Sequence, residues 1–218
     1  MGGLTLPALP SWPQGIVPGI KVDKGLAPMA NANEGETWCQ GLDGLAGECA
    51  EYYKTGARFC KWRTTVNIAA GASNKAVFDA AYGLARYAAI AQNAGLAPII
   101  EPEILLDGDH DIDTCLEVAE RVWAETFKQM ADQGVLFEGI LLKPSMVTPG
   151  ADKNRANPET VAAYTLKLLR RRVPPAVPGI MFLSGGQVRA TGRQCLLVGH
   201  MDDCSPTSHT SPSLTPPA

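Results

Sequence analysis

The sequence predicts an α/β protein with a parallel sheet, on three observations. Short apolar runs recur, each followed by a longer amphipathic stretch. The runs start about 40 residues apart, the length of one β/α unit with a long helix. Charged or phosphate-friendly residues close every run, as they do at the mouth of a (β/α) barrel. An open doubly wound sheet shares the alternation, but the GxGxxG turn of nucleotide-binding sheets does not follow the first run.

The predicted strands are "GIVPGIKVD" (15–23), "ARFCKWR" (57–63), "LAPIIEPE" (96–103), "LFEGILLKP" (136–144) and "PGIMFLSGG" (178–186). The predicted helices cover 40–56, 73–95, 112–134 and 157–172. In the first, Leu42, Leu45, Cys49, Tyr52 and Tyr53 fall near helical spacing. Ser73 and Asn157–Pro158 are start signals, while the Asn93–Gly95 and Gln133–Gly134 stretches are stops.

The chain has 218 residues, 45% hydrophobic and 19% charged, the proportions of one soluble globular domain. A net charge of −3 gives no reason to expect nucleic acid or a membrane as partner. No apolar run approaches the roughly 20 residues that span a bilayer. The opening "MGGLTLPALPSWPQG" has neither the basic start of a secretory signal nor the arginines of a transit peptide. Cys39, Cys49, Cys60, Cys115, Cys195 and Cys204 form no CxxC pair and are expected to be reduced thiols. His200, Cys204 and His209 match no zinc spacing. The acidic loop with Asp107, Asp109, Asp111 and Asp113 fails the EF-hand pattern, which needs Gly and Glu where Ile112 and Val118 stand. It reads instead as acidic residues before a helix N-terminus.

The chemistry lies at the strand ends. Lys143 closes the apolar run of the fourth strand, where a lysine usually snorkels to the surface. A lysine among apolar walls and other cations gives up its proton more readily, and Lys21, Lys61 and Arg63 end neighbouring strands. The free amine is then a nucleophile toward a carbonyl. Glu101 and Glu103, two residues apart, point to one side of their strand. They can neutralise the lysines, shuttle protons for imine formation, or do both. "FLSGGQ" places the Ser184 hydroxyl and Gly185 after the fifth strand, where backbone N–H groups can cradle a phosphate. Alone, Ser-Gly-Gly is also simply a turn. Together these features suit carbon–carbon bond chemistry next to a ketone on a phosphorylated substrate, with no metal.

From Gly15 to Gln187 the segments "GIKVDKG", "QGLDGL", "ARFCKWR", "EPEILLDGDH", "EGILLKPSMVTPG" and "PPAVPGIMFLSGGQ" resemble class I fructose-bisphosphate aldolases. "KPSMVTPG" and "WCQGLDGL" are most similar to the plastid enzymes of plants and green algae, which points to the chloroplast, or otherwise to the cytoplasm. The resemblance implies a (β/α)8 TIM barrel, usually a homotetramer, needing no cofactor. It implies cleavage of fructose 1,6-bisphosphate to dihydroxyacetone phosphate and glyceraldehyde 3-phosphate, in glycolysis and the Calvin cycle. Under it Lys143 is the Schiff-base lysine, Glu101 the main acid/base and Glu103 its support. Lys21, Lys61 and Arg63 bind and orient the substrate, and Ser184 and Gly185 hold its first phosphate.

Two regions depart from the family pattern. Residues 1–14 replace a strand that carries a catalytic aspartate, and 188–218 bear no likeness to the family's last strand, phosphate-binding arginine and C-terminal tyrosine. The expected organisation is a divergent segment 1–14, a partial barrel 15–187 of about five β/α units, and a disordered Ser/Thr/Pro-rich tail 188–218. On that reading the chain is poorly soluble alone and cleaves little, since five strands cannot close a barrel. The alternatives are an inactive aldolase piece or a partner of complete subunits, and another Schiff-base barrel enzyme such as a transaldolase.

Overall fold

A computed structural model of the chain describes residues 15–183. The segment 1–14, the tail 188–218 and the expected Ser184–Gly185 cradle lie outside the described residues. Four strands form one parallel sheet in the order β1 (Gly19–Lys21), β4 (Phe59–Asn67), β5 (Ala97–Leu105), β6 (Leu141–Leu142), and a parallel bridge joins Leu142 to Ile180. The spatial order follows the chain without reversal. Helices α2 (Asn74–Asn93), α3 (Ile112–Asp132) and α4 (Pro158–Arg172) pack in succession beside one another. A doubly wound sheet would reverse its strand order and carry helices on both faces. This one winds in a single direction, as a barrel does.

The helices start and stop where the sequence signals lie. Ser73, Asp111 and Asn157 each accept a hydrogen bond from the backbone N–H three residues on, and Pro158 follows Asn157 at the first helical position. The acidic loop therefore supplies a helix cap in Asp111. Buried Ala76, Ala80, Ala81, Ala85, Ala88 and Ala91 give α2 a flat face that lets it lie close against the sheet and α3. Helix α1 (Leu45–Lys54) begins five residues later than expected, because Gly44 at φ 74° holds a left-handed turn that a right-handed helix cannot include.

The strands depart further from expectation. β1 covers only 19–21 of the predicted 15–23, and the fifth run contributes a bridge at Ile180. β4 and β5 instead run four and two residues past their expected ends, pairing with each other through Asn67 and Leu105. β6 shrinks to two residues, because 137–139 form a 3-10 turn and two prolines end the ladder. Lys143 N–H donates to the Ile100 carbonyl at 2.7 Å. The next donor on that side of β5 would be residue 102, which is proline, and on the opposite edge, where Leu142 pairs with the fifth run, Pro144 has no N–H to continue that ladder. The Ile104 N–H, one step further along the same side, goes to Ser145 Oγ. Lys143 thus occupies the last rung of its strand, and the chain turns away after it.

One core joins sheet and helices. Trp62, on the helix side of β4, is fully buried and stacks on Tyr87 of α2 with ring centroids 5.4 Å apart. The Tyr87 hydroxyl donates to the Cys60 carbonyl at 2.7 Å. On the opposite side Gly19 faces the Phe59 ring, which would lie 2.1 Å from any Cβ placed there. At the two sides of the sheet Ile16, Val17, Ile180 and Met181 are exposed among the described residues. Cys39, Cys49, Cys60 and Cys115 are buried free thiols.

A hairpin between β1 and α1 was not expected. Its strands β2 (Leu26–Pro28) and β3 (Thr37–Cys39) are antiparallel, and Thr37 Oγ1 meets Thr65 Oγ1 at 3.0 Å, tying it to the overrun of β4. Glu36 in its loop is buried and accepts from Ser73 N at 2.7 Å, Ser73 Oγ at 2.8 Å and Asn33 N at 3.2 Å. Burial alone would raise its pKa. The Ser73 and Asn33 hydrogen bonds, with the Lys75 charge, outweigh that and hold it below the usual value of 4.5. A lowered carboxyl pKa stabilises the fold above the unfolded value, and the effect fades as pH falls through the folded one. Glu36→Gln should therefore destabilise the chain by about 1–3 kcal/mol at neutral pH. Thermal melts should show the gap to wild type closing below pH 4.5, whereas a gap that stays constant contradicts the assignment.

Candidate active site

Alternation along the strands carries the site. Odd-numbered positions of β4 and β5 face away from the helices, so Lys61, Arg63, Glu101 and Glu103 share the inner face. Lys21 is in register with Lys61, and Lys143 follows β6 on the same side. Because β4 and β5 overrun, Lys61, Arg63, Glu101 and Glu103 sit within their strands and do not end them. Among the described residues, Lys21 ends its strand and Lys143 directly follows β6.

Glu101 is the centre. Its carboxylate is 4% exposed, with Oε1 3.0 Å from Lys143 Nζ and Oε2 2.9 Å from Lys61 Nζ. The contact to Lys61 is an ion pair whose angle departs from that of a hydrogen bond. Lys143 was expected among apolar walls. Its side chain is instead 31% exposed and faces a carboxylate, because Glu101 lies one strand away on the inner face. Glu103 pairs with Arg63 through Nε. Burial works against the Arg63 charge, and the Glu103 carboxylate outweighs it, so the guanidinium pKa is raised. The two glutamates therefore serve different cations.

Lys21, 53% exposed, pairs with Asp23 Oδ1 at 2.5 Å. Asp23 is buried, accepts from Gly25 N at 3.2 Å and reaches Lys61 Nζ at 3.8 Å. Asp23 is the last residue of the first predicted run. Its spacing of two from Lys21 was the signal that both face the site. Nearby Cys39 is no rival nucleophile, since burial, with the Asp23 charge, pushes its thiol up to about 12. Ser184 and Gly185 lie outside the described residues.

An inward array of alternating cations and carboxylates on a singly wound parallel sheet is the arrangement of a (β/α) barrel site. Comparison with known proteins takes this further. The family model of class-I fructose-bisphosphate aldolase matches residues 11–205. Fructose-bisphosphate aldolase 1, chloroplastic, of Chlamydomonas reinhardtii is 75% identical over 175 residues, covering 80% of this chain and 46% of the relative. Fructose-bisphosphate aldolase 3, chloroplastic, of Arabidopsis thaliana is 70% identical over 176 residues, covering 80% and 45%. The crystal structure of fructose-bisphosphate aldolase from Plasmodium falciparum, in complex with TRAP and a small-molecule inhibitor, superposes with a TM-score of 0.82 at 48% identity, covering 85% of this chain and 54% of that one. The chain belongs to the class I fructose-bisphosphate aldolase family, whose barrel fold it shares. It spans about half the length of the curated relatives it matches.

Proposed function

We propose that this chain carries the imine-forming part of a fructose 1,6-bisphosphate aldolase site, with Lys143 as nucleophile. The observation that carries the reading is the Glu101 carboxylate held within 3.0 Å of both Lys143 and Lys61. Glu101 takes a proton from the Lys143 ammonium, and the free amine attacks the substrate ketone carbon. Glu101 then returns the proton to the carbinolamine hydroxyl, which leaves as water and gives the iminium. The Glu101 carboxylate, left free by that step, takes the C4 hydroxyl proton; the bond between C3 and C4 breaks, its electron pair flows into the iminium to form an enamine, and glyceraldehyde 3-phosphate departs as the aldehyde. Glu101 returns the proton to C3 of the enamine, and addition of water to the resulting iminium releases dihydroxyacetone phosphate and the Lys143 amine.

Lys61, Arg63 and Lys21 supply the positive field for the substrate's phosphates and hydroxyls, and Glu103 holds the Arg63 fork in place. Ser184 and Gly185 are proposed to hold the first phosphate. The chloroplastic relatives support a chloroplast location, and assembly with like subunits as a tetramer belongs to the same reading.

The chain should gain the mass of one reduced dihydroxyacetone phosphate adduct when incubated with that ketone and borohydride. EDTA should leave the yield unchanged, since the lysine supplies the electron sink. No adduct on intact-mass analysis, or an adduct that EDTA suppresses, contradicts the proposal.

A further inference from the structure

Asp23 is a buried carboxylate that the imine mechanism does not use. Its side chain is 3% exposed and meets two lysines of the site, Lys21 through Oδ1 and Lys61 through Oδ2. Its backbone partners come from two separate elements. Oδ1 accepts from Gly25 N in the turn after β1, and Oδ2 accepts a long bond of 3.4 Å from Arg63 N in β4. Asp23 thus bridges the β1 turn to the middle of β4, at the backbone of Arg63 and two residues from Lys61. On its other side Lys61 meets Glu101. The Lys61 ammonium lies between two carboxylates, each almost wholly out of water, one just after β1 and one on β5, the strands that flank β4.

This geometry matters because Glu101 is shared. One carboxylate faces two ammonium groups, and whatever holds Lys61 elsewhere leaves Glu101 freer to exchange protons with Lys143. We infer that Asp23 is a positioning residue which tethers Lys61 between two carboxylates and so keeps Glu101 available to Lys143. Without it, Lys61 keeps Glu101 as its one carboxylate partner, and more of the proton shuttle's charge is engaged by the wrong lysine. Lys21 competes for the same tether from the outside, and its shorter contact sets how much of Asp23 remains for Lys61.

The inference rests on the Schiff-base reading, so the test has two readouts on the 218-residue chain. The first is reductive methylation of Lys61, followed by peptide mass spectrometry, which needs no substrate. Asp23→Asn removes one charge partner from Lys61, and its methylation should quicken by about three-fold, the scale of a partly exposed ion pair. Lys128, far from the site and paired with Asp132, should not change. Lys21→Gln frees Asp23 for Lys61 and should slow Lys61 methylation, and it disturbs only an exposed side chain if Asp23→Asn fails to fold. The second readout is the rate of borohydride-trapped adduct at saturating and limiting dihydroxyacetone phosphate. In Asp23→Asn the saturated rate should fall about ten-fold, as for partial loss of general acid/base catalysis, and Asp23→Glu should restore most of it. A merely structural Asp23 would change the melt and leave Lys61 reactivity alone. Unchanged Lys61 methylation in both variants beside a wild-type chain that labels overturns the inference, as does a saturated rate equal to wild type in Asp23→Asn. A wild-type chain that forms no adduct refutes the proposed function itself, separately from the Lys61 result.

Discussion

Glu101→Gln should slow imine formation at Lys143 by about 10²–10³-fold, the usual worth of a positioned general acid/base. The carboxylate pairs with Lys143 at 3.0 Å and is buried, so water cannot readily substitute for it. Glutamine keeps the shape and can still accept from a lysine, but it cannot carry the proton from ammonium to carbinolamine. Lys61 and Lys143 retain some exposure and can turn to solvent, so the variant should still melt cooperatively. The time course of borohydride trapping reads the rate directly. Glu103→Gln is the contrasting variant. Glu103 serves Arg63, so its loss should weaken half-saturation more than the saturated rate. Equal effects of the two variants on the saturated rate would contradict the division of labour between the glutamates.

The largest expected effect on stability is that of Trp62→Ala. The indole is wholly buried between β4 and α2 and stacked on Tyr87, so its truncation leaves a cavity. Truncating such an aromatic costs about 3–5 kcal/mol in transfer and cavity terms. Domains have roughly 5–15 kcal/mol in total, so little folded margin remains. Tyr87→Phe keeps the ring and removes the hydroxyl, with its contacts to the Cys60 carbonyl and thiol and the Ile99 carbonyl, and should cost about 1–2 kcal/mol. Urea titration of both variants decides it, and a Trp62→Ala midpoint at or above that of Tyr87→Phe would mean the core is not where the geometry puts it.

The helices were legible because their signals are local. Ser73, Asp111 and Asn157 cap what they are placed to cap, and Asn93–Gly95 and Gln133–Gly134 stop what they follow. The inner-face residues were legible because alternation is a property of any strand, so Glu101 with Glu103 and Lys61 with Arg63 had to fall together. Strand length was not, since it depends on partners. β6 ends at Lys143 because Pro102, forty-one residues earlier, has no N–H to continue the ladder. β4 and β5 overrun because each supplies the other's partner and the hairpin braces the extension. That hairpin was missed because three-residue strands carry no periodicity. Glu36 was missed with it, since its role is to bind a helix start thirty-seven residues on. Asp23 was seen and left idle, because what makes it matter is the position of Lys61 on the next strand.

Which lysine forms the imine is the most direct question. Lys143 and Lys61 both contact Glu101, and their carboxylate distances of 3.0 and 2.9 Å do not separate them. What separates them is surroundings. Lys61 lies between two carboxylates, while Lys143 is paired with Glu101, ends its strand and is more open to an incoming ketone. Peptide mapping of the borohydride-reduced dihydroxyacetone phosphate adduct should place the three-carbon label on Lys143, and Lys143→Ala should abolish it. A label that persists in Lys143→Ala and vanishes in Lys61→Ala would contradict the account.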